Sequence, residues 1–470
     1  MFLMPTPQAV GMNGTPKIAP SSELRMISQL ALPNRRYCLA ALSALVILWL
    51  WVALDRPYNL SSLASWDTYS NQPIFGQPRE TMDAFDFPAL ESESIKSICD
   101  ATQWNESVVF TCDESPGGVG NVRNSILNCV RYAISAGASL VVPSIVMRSE
   151  DISVMRTGIK TDLSYMFDTQ HFFDSIQLSC PSLQIYRSKL DIKDFENASD
   201  MIPLIPEALV DYIPRTGLAE PQAWRGTFYT WLEQYSTPNV TGPFIVGLDR
   251  SYLQYPIYSD GERFALSFGH ILKFRSDVRI LATKVLHNIG KKHALALNLT
   301  QPTLPNAFFG VHLRTEIDSQ KAWPTGDWKY SKYSTQAQLY LEQAPRSNPA
   351  VVYVASGNLS EVAKFATDVS QMPQNLTTIT KFDMLERKER AEVEALTWDQ
   401  QALVDFLVML KASDFAGIGH SSFAWNIALK RHVFSTTKEH LDGPQLLSDE
   451  LSQIYGVVRD FPEYAACLWP

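Results

Sequence analysis

Short apolar runs alternate with segments of helical spacing in the first third of the chain. The run SVVFTC, residues 107–112, predicts a buried strand, and ASLVVPS, residues 138–144, predicts another. Gly137 is suited to end an intervening helix, because glycine readily adopts the left-handed conformation. The pattern predicts a strand–helix–strand unit with a glycine-bearing turn, DESPGGVGN, at its first corner. The helix is predicted over 121–137 from the spacing of Val122, Ile126, Leu127, Val130 and Ile134.

The same alternation returns after residue 305. AFFGVHLR (307–314), VVYVASG (351–357) and DFAGIG (414–419) predict strands. SEVAKFATDVSQM (360–372), with Ser360 as N-cap, TWDQQALVDFLVMLKAS (397–413) and SFAWNIALKRH (422–432) predict helices. Strands that alternate with helices predict an α/β fold with doubly wound sheets.

Residues 145–300 mix aromatic-rich and helical segments, and their pattern assigns no strand order. Two alternating halves predict two domains that face each other, with a ligand between them at the carboxyl ends of the strands. The predicted divisions are 1–36, a polar tail; 37–54, an apolar segment; 55–91, a Pro/Ser/Asn-rich stem; 92–304, an N-terminal domain; 305–445, a C-terminal domain; and 446–470, a C-terminal segment.

The apolar segment YCLAALSALVILWLWVAL, residues 37–54, carries no charge, and its length is at the short end of a membrane span. Arg35 and Arg36 precede it, with Lys17 and Arg25 further back, so the N-terminal side is predicted to stay cytosolic. A cleaved signal peptide is the alternative, but it needs a shorter apolar core nearer the start. The pattern favours a single-pass type II anchor in the endoplasmic reticulum or Golgi membrane.

The composition is that of a globular protein, with 46% hydrophobic and 19% charged residues, and the net charge of −9 disfavours a nucleic-acid partner. No Cys/His spacing typical of zinc sites occurs. In an oxidising lumen the predicted disulfide is Cys99–Cys112, because it closes a short loop. Triplets of the N-x-S/T type follow the apolar segment and agree with a lumenal orientation. The predicted glycosylation sites are Asn105, Asn197, Asn239, Asn298 and Asn375.

Four short motifs carry the candidate chemistry. The glycines of SPGGVGN (115–121) allow a phosphate to approach a helix N terminus, although such turns also serve chain reversal alone. In HLRTE (312–316), Arg314 can bind a phosphate through its two-pronged guanidinium, or it can pair with an acid to hold the domains together. YVASGN (353–358) ends a strand in small residues, which permits close approach of a ligand or only a tight turn.

The last motif, SDFAGIGHSSFAWN (413–426), places Ser421 and Ser422 at a helix start, where hydroxyl and free N–H groups can hold a phosphate or simply cap the helix. Phe423 can stack on a base or pack in the core. The chain contains no D-x-D triplet, so any diphosphate would be neutralised by arginine and backbone N–H groups.

In order and spacing, these four motifs resemble those of the GDP-fucose O-fucosyltransferase-like superfamily over residues 107–432, most strongly after 305. The resemblance implies a GT-B fold, with an acceptor-side domain followed by a nucleotide-sugar domain, and inverting transfer of fucose from GDP-fucose without a metal or other cofactor. It implies that Arg314 binds the β-phosphate and stabilises the leaving GDP, with His312 beside it, and that Asp405 helps to bind the nucleotide. The other matching positions are Gly117, Gly118, Gly120 and Asn121 in the glycine loop, Asp318 as an acid after the arginine, and Ser421, Ser422 and Phe423 around the diphosphate and base.

One position departs from the family pattern. Some relatives carry a glutamate in the first loop, thought to be the general base, and others an arginine, whereas this chain has Gly118. The base is therefore Glu316, Asp318 or Asp113, or the leaving phosphate takes the proton.

The sequence predicts a lumenal fucosyltransferase whose acceptor is a hydroxyl on a protein or a glycan. The alternatives are a GT-B enzyme that uses another nucleotide sugar and a non-catalytic lumenal protein that keeps the fold.

Overall fold

The computed structural model describes residues 83–112, 115–148, 158–238, 240–249, 251, 254–316, 319, 329–437, 441–442, 446–457 and 464–470. The predicted tail, the predicted membrane segment and most of the predicted stem lie outside these ranges, as do Asp113, Asn239 and Asp318. Within the described ranges, no helix is both long and apolar enough to cross a membrane.

Two sheets dominate the fold, and all strands of the first precede residue 304, whereas all strands of the second follow it. A short antiparallel ribbon, β3 with β4, accompanies the first sheet. The strands are β1 (Asn105–Thr111), β2 (Ala138–Val141), β3 (Ile145–Val146), β4 (Lys160–Thr161), β5 (Ile185–Tyr186), β6 (Ile202–Leu204), β7 (Phe244–Leu248), β8 (Phe308–His312), β9 (Val351–Ala355), β10 (Thr377–Ile379), β11 (Asp414–Ile418), β12 (Leu441–Asp442), β13 (Leu446–Ser448) and β14 (Ser452–Tyr455).

The first sheet has the order β5-β2-β1-β7-β6, and all of its pairs are parallel. The second has the order β10-β9-β8-β11-β14-β13-β12, in which the first five strands are parallel and the last two antiparallel. Parallel strands require crossover connections, which the helices supply. The carboxyl ends of β1 and β8 therefore open onto the loops that carry the glycine motif and HLRTE, and the prediction of an α/β fold with parallel sheets is confirmed.

Helices cover the sheets, and several of them begin at side-chain caps. Ser421 Oγ accepts a hydrogen bond from Ala424 N, and Thr397 caps its helix in the same way through Gln400 N. The helices are α1 (Glu93–Ala101), α2 (Val119–Ala136), α3 (Thr169–Ser179), α4 (Trp224–Glu233), α5 (Glu262–Phe268), α6 (Ser276–Lys292), α7 (Tyr333–Gln343), α8 (Leu359–Ser370), α9 (Lys381–Met384), α10 (Arg387–Glu394), α11 (Trp398–Leu410), α12 (Ser422–His432) and α13 (Tyr464–Cys467).

Helix α2 begins two residues before its predicted start, so Gly120 and Asn121 belong to the helix and not to the turn. Gly118 is its N-cap without a side-chain cap, which leaves the N–H groups of the first turn available. Gly137 ends it with φ of 68°, as predicted. The predicted N-cap Ser360 of α8 is wrong, because the Asn358 side chain accepts the hydrogen bond from Glu361 N and starts the helix earlier.

One continuous apolar core joins the two sheets. It includes Val108 and Phe110 of β1, Phe308 of β8 and Trp425 of α12, all almost fully buried. Burial of each such side chain contributes about 1.5–3 kcal/mol to folding. The described residues accordingly belong to one compact unit. The predicted boundary at 304/305 falls between the two sheets, and the division into two domains stays a prediction.

The predicted disulfide Cys99–Cys112 is wrong. Cys99 on α1 bonds to Cys180 at the end of α3, and Cys112 at the end of β1 bonds to Cys129 on α2, while Cys467 is free and buried. Loop length separates candidate pairs only weakly, because each doubling costs about 0.6 kcal/mol. The deciding factor is the tertiary fold, since α2 runs back over β1 and α1 packs against α3.

Removing the two disulfides singly is expected to destabilise the protein unequally. They close loops of 81 and 17 residues, so Cys99→Ser/Cys180→Ser should lower the free energy of unfolding by about 1 kcal/mol more than Cys112→Ser/Cys129→Ser does. Each loss should be about 3–5 kcal/mol. Urea unfolding measures the difference, and mass spectrometry of non-reduced peptides identifies the pairs. A peptide that joins Cys99 to Cys112 would contradict the fold described above.

The predicted glycosylation sites differ in accessibility. The side chains of Asn197, Asn298 and Asn375 are exposed, whereas Asn105 at the start of β1 is half-buried. Asn239 lies outside the described ranges. Modification at these positions stays a prediction.

Candidate active site

The glycine loop and the S-S-F motif, 300 residues apart in sequence, are in direct backbone contact. A Cβ on Gly120 would lie 2.6 Å from the carbonyl carbon and oxygen of Ser422 and 2.9 Å from Phe423 N. Only glycine permits this approach, because neither neighbour is a flexible side chain. The N termini of α2 and α12 are thus held side by side, and both present the positive ends of their helix dipoles.

The turn before α2 is shaped by Gly117 and Asn121. Gly117 has φ of +118°, and a Cβ there would lie 2.8 Å from Asn121 Nδ2. The Oδ1 atom of Asn121 is buried, and within the described ranges it has no hydrogen-bond partner. A buried acceptor of this kind is rare in native proteins and indicates a place where a donor group can bind.

Arg314 is held through its main chain and its side chain. Its backbone N donates to Gln336 Oε1 at 2.9 Å, and its carbonyl accepts from Gln336 Nε2 at 2.8 Å. Its Nη1 donates to Glu316 Oε2 at 2.5 Å, and its side chain stays 19% exposed. Because Gln336 is fully buried on α7, it is a support that fixes the backbone of the arginine.

Glu316 connects Arg314 to the end of β9. Its second oxygen, Oε1, accepts from Gly357 N at 2.8 Å. Burial raises the pKa of Glu316, but the charge and hydrogen bond of Arg314 outweigh burial and hold the pKa below its ordinary value. A Cβ on Gly357 would lie 2.9 Å from that oxygen, so the absence of a side chain at this position makes room for Glu316. Glu316 is therefore ionised and engaged on both oxygens.

His312 is the last residue of β8 and is 8% exposed. Its ring centroid lies 4.6 Å from that of Phe423, and its Nδ1 lies 3.4 Å from Ser421 Oγ. Burial lowers the pKa of His312 to about 4, with Arg314 adding to the shift and Glu316 opposing it. The imidazole is thus neutral at neutral pH and packs as a polar wall of the site.

The residues of the S-S-F motif have two roles: Ser421 caps a helix, and Ser422 and Phe423 pack against neighbouring segments. Ser421 caps α12 through Ala424 N, whereas the Ser422 side chain is half-exposed and its backbone contacts Gly120. The Phe423 ring packs against His312 and, at 5.5 Å and 87°, against Phe406 of α11. In this structure Phe423 is a packing residue between two elements of the second half.

Asp405 lies inside the second half and is 5% exposed. Its Oδ1 accepts from the Tyr353 hydroxyl at 2.6 Å, and its Oδ2 accepts from Lys381 Nζ at 2.6 Å. Both oxygens are engaged, so Asp405 links β9, α9 and α11. The nucleotide-binding role implied for it by the resemblance stays a prediction.

The structure brings together most of the predicted site residues and adds four that the sequence pattern did not indicate. The glycine loop, His312, Arg314, Glu316 and the S-S-F motif lie in one connected set of contacts. No local signal singles out the additional residues, because each acts through a contact with a distant segment. They are Arg148, Gln336, Trp398 and Asp399.

Comparison with protein families matches residues 108–434 to the model described as GDP-fucose protein O-fucosyltransferase. The match covers well over half of the chain. The chain belongs to this family. It is therefore a glycosyltransferase, and the resemblance drawn from the four motifs is confirmed. Comparison with curated protein sequences finds no match.

Several solved fucosyltransferase structures are distantly similar to the chain. POFUT1 in complex with GDP-fucose is 13% identical with a TM-score of 0.42, over 76% of this chain and 100% of that chain. A variant of Arabidopsis thaliana FUT1 in complex with GDP is 11% identical with a TM-score of 0.37, over 80% and 76%. Fucosyltransferase NodZ from Bradyrhizobium is 11% identical with a TM-score of 0.36, over 70% and 93%. The family assignment depends on the sequence match.

Acidification is expected to weaken this family member through His312. The folded-state pKa of about 4 lies below the ordinary value of about 6.5, so the contribution of the neutral ring is complete above pH 6.5 and is lost as the pH falls through 4. The loss approaches about 3 kcal/mol. Urea unfolding at pH 7 and pH 4 should show a smaller fall in stability for His312→Gln than for wild type. In the control His287→Gln, at an exposed position on α6, the wild-type fall should remain; equal falls in all three proteins would contradict the assignment.

Proposed function

We propose that this glycosyltransferase moves fucose from GDP-fucose to a hydroxyl of a protein or glycan acceptor, with inversion and without a metal. The observation that carries the proposal is the position of Arg314, which Gln336 and Glu316 hold two residues after His312. His312 in turn contacts Ser421 and Phe423 at the start of α12, whose backbone adjoins Gly120 of α2. The family assignment supports the donor. In this proposal the two sheets belong to the two Rossmann-like domains of a GT-B fold.

In the proposed mechanism, positive charge near the β-phosphate stabilises the leaving GDP. As the bond between fucose and GDP breaks, negative charge grows on the β-phosphate. A guanidinium and backbone N–H groups that are already oriented stabilise that charge without reorganising. Arg314 supplies the guanidinium, and the uncapped first turn of α2 supplies N–H groups. In this proposal these groups neutralise the diphosphate, which is the role of the metal ion in transferases that use paired acids.

Glu316 is assigned to positioning and not to proton abstraction. Its carboxylate is engaged by Arg314 and by Gly357 N, and its lowered pKa makes it a weak base. The acceptor proton therefore passes to Asp113, to Asp318 or to the leaving phosphate.

The proposed location is the lumen of the endoplasmic reticulum or Golgi, with residues 37–54 as a type II membrane anchor. The charge distribution around that segment supports the orientation. Two disulfides support an oxidising compartment, since such bonds are rare in the cytosol.

Thermal unfolding of the full-length protein with nucleotide sugars tests the donor. A ligand that binds only the native state stabilises it by about 2.7 kcal/mol at one hundred times its Kd. GDP-fucose is expected to raise the Tm, UDP-glucose to leave it unchanged, and EDTA to have no effect on either result. A rise in Tm with UDP-glucose alone would show that the donor is a UDP sugar and not GDP-fucose. No rise in Tm with any nucleotide sugar would favour a non-catalytic protein with this fold.

A further inference from the structure

Arg148 follows β3 in the first half of the chain, and its side chain reaches two elements of the site. Its Nη1 lies 3.5 Å from the point where a Cβ would stand on Gly118, the N-cap of α2. Its Cζ lies 5.2 Å from the ring centroid of Trp398, the first residue of α11. A guanidinium from a separate corner of the fold therefore stands beside the glycine loop SPGGVGN, which carries no cationic side chain of its own.

A continuous line of contacts joins this guanidinium to that of Arg314. Trp398 ring atoms lie 3.2 Å from the point where a Cβ would stand on Gly357, and Glu316 Oε1 lies 2.9 Å from the same point. Glu316 in turn pairs with Arg314. The two arginines, one from each half of the chain, are thus linked through Trp398, Gly357 and Glu316.

The backbone at Arg148 is fixed by Asp399, which follows Trp398. Asp399 accepts a hydrogen bond from the Arg148 backbone and is 4% exposed. Burial raises the pKa of Asp399 to about 6, against the opposing charge and hydrogen bond of Arg148. One turn of α11 therefore holds both parts of the arginine: Asp399 its main chain and Trp398 its guanidinium.

Arg148, Arg314 and the N termini of α2 and α12 supply positive charge in this region, while Glu316 pairs with Arg314 and Asp399 interacts with Arg148. Helix N termini and guanidinium groups both favour a bound anion. Planar guanidinium groups bind phosphate oxygens through two parallel hydrogen bonds. An anion with two linked phosphates fits this distribution better than a neutral acceptor does.

The geometry points to Arg148 as a second arginine of the donor site, which contacts the diphosphate of the nucleotide sugar from the first-sheet side. This inference rests on the proposed function, because it assigns Arg148 to the same donor. It places just after β3 the cation that the glycine loop lacks.

Calorimetric titration of the full-length protein with GDP and with guanosine tests it. Arg148→Ala should raise the Kd for GDP about ten- to a hundredfold, as expected for a lost charge-assisted hydrogen bond, and should change the Kd for guanosine less than twofold. Arg148→Lys should recover part of the GDP affinity, since it restores the charge without the two-pronged geometry. It also serves as the test if the alanine variant does not fold.

Arg390→Ala is the matched control. The Arg390 guanidinium lies 5.7 Å from the Phe382 ring, so it also stacks on an aromatic side chain, but it pairs with Glu394 on the half-exposed surface of α10. Its loss should leave the Kd for GDP unchanged.

Wild-type affinity for GDP in folded Arg148→Ala, or equal weakening for GDP and guanosine, would overturn the inference. If wild type binds UDP and not GDP, the proposal of GDP-fucose as donor is contradicted. The Arg148 variants are then titrated with UDP and uridine, and a weaker Kd for UDP alone would support the role of Arg148. If wild type binds no nucleoside diphosphate, both proposals fall.

Discussion

Replacing Arg314 by alanine is expected to lower the rate of GDP release from GDP-fucose about a thousandfold. In the proposed function the guanidinium stabilises the leaving diphosphate, and loss of one oriented donor of this kind costs about 10²–10³ in rate. The same change removes the cation that neutralises Glu316, whose side chain is only 8% exposed. Breaking a buried pair from one side costs about 3 kcal/mol, so the single variant should also lose stability.

A double variant separates these two effects. Arg314→Ala/Glu316→Gln removes the arginine and the charge that depended on it, while the glutamine can still accept from Gly357 N. Its urea midpoint should return toward wild type, and its rate of GDP release should stay as low as that of Arg314→Ala. Recovery of turnover together with stability would show that Arg314 acts only through folding.

Gly120→Ala is expected to destabilise the protein by about 1–2 kcal/mol and to abolish donor binding. The added Cβ would lie 2.6 Å from the backbone of Ser422, so α2 and α12 would have to separate. Overpacking of this kind costs about 1–3 kcal/mol or more, which outweighs the gain of at most about 1 kcal/mol from replacing a helical glycine. Urea unfolding and titration with GDP-fucose measure the two effects.

Gly226→Ala is a control with the opposite expected sign. Gly226 lies in α4, and no atom stands within 4 Å of its added Cβ, so only the helix preference remains. This variant should gain about 0.5–1 kcal/mol and keep its affinity for the donor. A Gly120→Ala protein that is as stable as Gly226→Ala and binds the donor normally would contradict the contact between the two motifs.

Sequence alone predicted the elements whose signals are local. The end of α2 at Gly137 and the start of α12 at Ser422 each depend on a few adjacent residues, and both are confirmed. The cap of α8 was misplaced by two residues, because Ser360 and Asn358 are both good caps and local sequence does not separate them.

What sequence could not predict depends on contacts between distant segments. The partner of Cys99 is set by how α1 packs on α3, and loop length does not contain that information. The clamp of Gln336 on Arg314 and the placement of Arg148 beside Gly118 each join segments that no periodicity relates. The candidate site was therefore predictable in its motifs but not in the residues that orient them.

The measurement that tests the central claim most directly is the Kd of GDP-fucose, in EDTA, for the full-length wild type and for Arg314→Ala/Glu316→Gln. Saturable binding by wild type and at least a tenfold weaker Kd in the double variant are expected, because Arg314 is the oriented cation of the proposed donor site. Equal affinity in the two proteins would contradict the account and place the donor elsewhere in the molecule.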